Sequence, residues 1–187
     1  MKAFVTSALL LSLLATTAHA ADNTEVKLSE LNWIDKKYFD KQRAQIDELG
    51  RSEFGTRLRG STADLELLQR IIDNELINTT DASDHKALGV VLGDIYVADK
   101  GWEWKEYQDR EGKSRGVCAP KTEQCVFPIS MMTRRLKVTT KINIERIYQR
   151  GLELMADSLP KLPYSAPAPQ EKAPEARDRN TIVVPFR

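Results

Sequence analysis

An α+β fold follows from three features of the chain: helix-spaced apolar stripes through the N-terminal half, a Trp- and Cys-bearing stretch broken by turn residues, and a last amphipathic stripe beyond it. The layout these predict is three N-terminal helices, a small three-stranded antiparallel meander, a C-terminal helix and a disordered Pro-rich tail.

The chain opens on Lys2, an apolar run from Ala8 to Leu14 and Ala18-His19-Ala20 ahead of Asp22. That is the pattern of a secretory signal peptide over residues 1–20 with an Ala-x-Ala cleavage site. The apolar run is too short for a bilayer span, and no cysteine follows it to accept a lipid. The expectation is an exported, soluble chain in the bacterial periplasm, with no membrane span or lipid anchor of its own. In a eukaryotic secreted protein, Asn78-Thr79-Thr80 would be a glycosylation acceptor.

From Leu28 to Leu49, the residues Leu31, Ile34, Tyr38, Phe39, Ile46 and Leu49 recur at helical spacing behind Ser29 as a cap, with Gly50 or Gly55 as the stop. Ser61 with Asp64 three residues on has the form of a capping box, and Leu65, Leu68, Ile71, Ile72 and Leu76 continue as a second stripe. The polar link from Asn78 to Ser83 leads into a third helix, where Leu88, Val91, Leu92, Ile95 and Tyr96 form one apolar row and Ala87, Val90 and Val97 another. Gly89 and Gly93, one turn apart, cost that helix roughly 2 kcal/mol of propensity against alanine, so they are expected where another backbone approaches closely. Asp94 falls in the Val90 and Val97 row. A carboxylate there needs a partner, and Arg134, Arg135 or an indole N–H of Trp102 or Trp104 are the expected ones.

Gly101 stops the third helix. Trp102, Trp104, Tyr107 and Val117 bracket the turn residues from Arg110 to Ser114, and a second turn from Ala119 to Glu123 leads to Gln124-Cys125-Val126-Phe127. The two tryptophans share one face by the period of two, assigned to the core. Cys118 and Cys125 flank the second turn, and in an oxidising compartment they are expected to form a disulfide. Phe127-Pro128-Ile129-Ser130 marks a strand end turning into a short helix capped by Ser130. Ile144, Ile147, Tyr148 and Met155 make the last helix, closing a single domain over residues 21–159. Residues 160–187 hold six of the chain's eight prolines and form the flexible tail, whose apolar end Ile182-Val183-Val184-Pro185-Phe186 breaks its polar pattern.

Loss of Lys2 with the signal brings the 28 basic residues level with the 27 acidic ones. A neutral chain lacks the basic excess of a general nucleic-acid binder. Local asymmetry remains: residues 62–99 carry eight acids and two bases, whereas residues 110–141 carry eight bases and two acids. Arg115, Lys121, Arg134, Arg135 and Lys137 in the basic part are the candidate binding residues.

Catalytic signals are weak. His85 is the single histidine outside the signal, and its place in a polar link near a helix start predicts an exposed side chain. Two cysteines and one histidine fall short of a structural zinc set, and neither a phosphate loop nor a nucleophile motif is present, so no metal or cofactor is expected.

The segments Gln42-Arg43, Asp47-Glu48-Leu49, Gly55 to Gly60, Leu67-Leu68-Gln69, Leu88 to Asp94, Trp102-Glu103-Trp104 and Phe127 to Arg135, taken in order, resemble an uncharacterised family. It is one of the domain-of-unknown-function families of proteobacteria, often exported. The resemblance spans about residues 28–155 and implies no activity or site residues; the cysteine pair and the tail depart from it.

Two function classes follow. The favoured one is a non-enzymatic cell-envelope module that binds a protein, peptide or polyanion through the basic residues of the sheet and turns, with the tail end around Val183 to Phe186 as an accessory. The alternative is an envelope hydrolase with a site assembled from Asp94, His85 and arginines, for which a single histidine provides little.

Overall fold

The structure, a computed structural model, describes residues 26–78, 80–139 and 141–156. The predicted signal and Pro-rich tail lie outside the described residues. In chain order the elements are β1 (Lys27–Glu30), α1 (Trp33–Phe54), α2 (Asp64–Asp73), α3 (Ala82–Lys100), β2 (Glu103–Asp109), β3 (Gly112–Cys118), β4 (Cys125–Val126), α4 (Pro128–Leu136) and α5 (Ile144–Leu154).

The sheet has four antiparallel strands in the order β1-β2-β3-β4, one more than the expected meander. The extra strand is β1, which pairs Leu28 with Tyr107 and Glu30 with Lys105. The periodicity instead places Ser29 as the cap of the first helix. Lys-Leu-Ser-Glu carries no strand signal of its own, and pairing to β2 decides its state, as tertiary context commonly does for strands. Consequently Asn32, not Ser29, caps α1, its side chain accepting from the Asp35 N–H at 2.9 Å.

Two register shifts follow. The buried stripe of α1 is Asp35, Phe39, Gln42, Ile46 and Gly50, which leaves Ile34 71% exposed. At α2, the Asp64 carboxylate reaches back to the N–H groups of Arg59, Gly60 and Ser61, but Ala63 holds the cap position and Ser61 provides no side-chain cap.

α3 is the core element, with Ala87 through Gly93, Ile95 and Tyr96 all buried. Its two glycines meet different neighbours. A Cβ on Gly89 would lie 2.5 Å from the Ile129 Cα, so α4 rests backbone-on against this turn. A Cβ on Gly93 would overlap the indole of Trp104 instead. The expectation of a close backbone thus applies to Gly89, while at Gly93 the approaching group is a side chain of β2. Beyond the sheet, Pro128 opens α4 at its first turn, where a missing N–H costs nothing, and Ser130 is not the cap. Tyr96 stacks between Trp102 and Tyr148 and donates its hydroxyl to the Tyr148 carbonyl at 2.8 Å, fastening α5 to α3.

Cys118 and Cys125 face each other in the β3–β4 register and are joined by a disulfide that closes the intervening turn. The chain-entropy relation assigns about 2.5 kcal/mol to so short a loop. The double variant Cys118→Ala/Cys125→Ala is expected to lose that much in denaturant unfolding, and the unreduced, denatured chain should show no thiol to a labelling reagent.

Gly89→Ala gains about 1 kcal/mol of helix propensity. Against that, forcing α4 away costs more, about 1–3 kcal/mol or above. The variant should therefore unfold at lower denaturant, and a raised midpoint would mean that α4 does not rest on this turn.

Candidate functional site

Asp94 sits where three elements meet. Its Oδ2 accepts from Arg43 Nε at 2.6 Å and its Oδ1 from Arg43 Nη2 at 2.8 Å, a bidentate pair from α1 to α3. Oδ1 also accepts from Trp104 Nε1 at 2.9 Å, bringing in β2. The indole is one of the partners anticipated for this carboxylate; the arginine is Arg43 rather than Arg134 or Arg135. These hydrogen bonds keep the Arg43 guanidinium above its ordinary pKa even though burial opposes it.

The clamp lays the N-terminal half of α1 beside β3. Along β3, Arg115 shares a face with Val117, opposite Glu106 and Trp104 of β2, and that face looks at the helices. Arg115 therefore reaches the Asp35 carboxylate in the first turn of α1, donating from Nε at 2.9 Å and from Nη2. Asn32 Nδ2 donates to the other Asp35 oxygen at 2.9 Å, so this 2% exposed aspartate is fully engaged.

Next to this pair opens a cleft of ≈ 450 Å³ between α1, β3, the start of α4 and Lys86 of α3. Ile34, Tyr38, Phe39 and Ile129 form its apolar lining, and Lys86, Lys113 and Arg115 its cations. Asp35 is the one carboxylate of the lining. Burial raises the Tyr38 phenol, with Arg115 opposing, so the hydroxyl stays protonated as a donor at neutral pH. Ile34 is itself 71% exposed, so the apolar lining is open to solvent at that side.

The five basic residues singled out in the sequence do not line one cleft. Arg115 lines this cleft. Lys121 lines a separate cavity of ≈ 460 Å³ at the disulfide turn, and Arg135 a third of ≈ 290 Å³ at the start of α5. Arg134 and Lys137 are exposed and line none of the three. What the sequence reading lacked was Asp35, Lys86 and Lys113. The Asn32-x-x-Asp35 spacing was the available signal for the first, since it is a helix-start pattern with an acid in the first turn.

His85 corrects another expectation. It is 1% exposed on the core stripe of α3, and neither ring nitrogen has a hydrogen-bond partner among the described residues. Asp94 lies nine residues further along the same helix, roughly 13 Å and half a turn away. The two therefore project from opposite faces, and the site expected for a hydrolase is not assembled. Among the described residues, no group of three His, Cys, Asp or Glu side chains could hold a metal, and no helix is long and apolar enough to cross a membrane.

Fold and cleft together define a small α+β domain with an open cleft lined by cationic and apolar side chains. Residues 64–148, just under half of the chain, match the family described as "Domain of unknown function (DUF3806)". The matched stretch runs from α2 into α5 and includes Asp94, Trp104 and Arg115, but not α1. A crystal structure from Bacteroides thetaiotaomicron VPI-5482 has the same fold, with a TM-score of 0.62 at 19% identity. That likeness covers 68% of this chain and 47% of the other, so this chain spans about half the length of that relative. No curated protein matches the chain.

Removing either partner of the clamp strips a partly buried charge of its bidentate pair, leaving Arg43 with Asp40 at the helix surface or Asp94 with the Trp104 indole. Asp94→Ala and Arg43→Ala should each lower stability by about 1–3 kcal/mol. The double variant should cost less than their sum by more than about 0.5 kcal/mol, the signature of direct coupling. Strict additivity in a double-mutant cycle would show that the pair does not hold α1 to α3.

Proposed function

We propose that this chain is a non-enzymatic binding module of the cell envelope that takes a partner protein into the cleft between α1, β3 and α4. Residues 1–20 serve as its export signal, residues 21–159 as the working domain and residues 160–187 as a tether. The observation that carries the reading is the make-up of the cleft: apolar side chains and three cations are gathered there, and the single lining carboxylate is already committed to Arg115. Such a surface attracts and holds a ligand, but offers no base beside a nucleophile. The disulfide is in keeping with an oxidising compartment.

The hydrolase alternative loses its support with His85 buried and turned away from Asp94. Of the basic residues singled out in the sequence, the cleft takes Arg115, to which it adds Lys86 and Lys113; Lys121, Arg134, Arg135 and Lys137 are not in its lining.

A photo-reactive residue placed at Ile34 or Ser114 in intact cells tests the reading. Both sites should give discrete adducts of the same partner, whereas the exposed apolar control sites Val138 and Leu154 should not. Adducts from the controls alone, or none from either cleft position, would overturn it.

A further inference from the structure

Resting on that reading, we infer that the cleft is built for an acidic peptide segment carrying a bulky apolar side chain: its carboxylates meet Arg115, Lys86 and Lys113, and its apolar group packs on Ile34, Tyr38 and Ile129.

Arg115 is prepared for an anion. Asp35 holds the guanidinium by its Nε and Nη2 edge, and Asp35 is itself fixed by Asn32 and by burial. Among the described residues nothing accepts from Nη1, on a side chain whose orientation is already set. A preset donor loses less freedom on binding than a free one, and a charged hydrogen bond from it is stronger than a neutral one. Lys86 has no ion-pair partner among the described residues, and Lys113 shares its charge with Glu106 at 2.8 Å. With Asp35 answering Arg115, the two lysines leave the lining net positive. The hydroxyls of Ser114 and Ser130 add donors and no negative charge.

The apolar side of the cleft argues for a peptide over a small anion. Ile34 and Ile129 present hydrocarbon, not donors, and Ile34 is 71% exposed. An inorganic anion gains nothing from that surface, whereas an extended segment covers it. The chain's own residues 157–187 are a poor occupant, because they hold five bases against four acids.

The test is fluorescence anisotropy on the full mature chain with a labelled, end-blocked octapeptide, Gly-Asp-Glu-Phe-Asp-Leu-Glu-Gly. Comparison peptides replace its acids by Asn and Gln, replace its acids by Lys, or replace Phe and Leu by Ala. Saturable binding is expected for the parent, weaker by about tenfold for both the amide and the alanine peptides, and falling with added salt. Lys86→Glu/Lys113→Glu should lose the parent by about tenfold and gain the lysine peptide. Both lysines lie outside the core, and Lys86→Glu alone serves if the double variant unfolds earlier than the parent chain. Equal binding of the amide peptide, or an unaltered affinity in the lysine variants, would overturn the inference. Should acidic peptides fail while Ile34 and Ser114 still crosslink one partner in cells, this ligand class falls and the binding-module reading stands. Failure of both removes both.

Discussion

The carboxylate of Asp94 is the constraint from which the arrangement around the cleft follows. One side chain on α3 fixes a guanidinium from α1 and an indole from β2, elements that are distant in sequence. Without a partner, a carboxylate in this apolar row would cost several kcal/mol or take up a proton. With Arg43 in place, α1 lies across α3 at a set position, and Trp104 is pressed over Gly93 with its edge against Phe39. The same placement brings Asp35 within reach of Arg115 and so shapes the cleft. Stability and binding surface are in this sense one arrangement, and a lesion at Asp94 should disturb both.

Small residues in α3 make the arrangement possible. Gly89 admits the backbone of α4 and Gly93 admits an indole, so the helix is covered on two sides at shorter distance than any side chain would allow. The propensity lost at two glycines is roughly 2 kcal/mol. Burial of Trp102, Tyr96 and Met132 around the same helix offsets it, at about 1.5–3 kcal/mol for each large apolar side chain.

Much of this was legible in the residues. Helical period and the Gly101 stop placed α3, the cysteine spacing pointed to the pair at the second turn, and the demand of Asp94 for a partner was plain from its neighbours. The misses have a common cause in long-range context. β1 is a strand because β2 lies beside it, not because of its own residues. Asp35 and Gln42 belong to the buried stripe of α1, but a search for apolar periodicity passes over polar members and gives their place to Ile34. Arg43 could not be singled out as the partner of Asp94 among so many arginines, since nothing local joins positions so far apart. His85 was assigned to a polar link, although extending the Leu88, Leu92 and Tyr96 row backwards by one turn leads to it.

The central claim is that the cleft between α1, β3 and α4 is where a ligand binds. Titrating the isotopically labelled chain with the acidic octapeptide and following backbone amide shifts by NMR tests this most directly. The account predicts perturbations concentrated at residues 33–39, at Lys86, at 113–115 and at 129–130, with the disulfide turn and α5 unmoved. Shifts centred on residues 118–125 or on the start of α5, with the cleft silent, would contradict it.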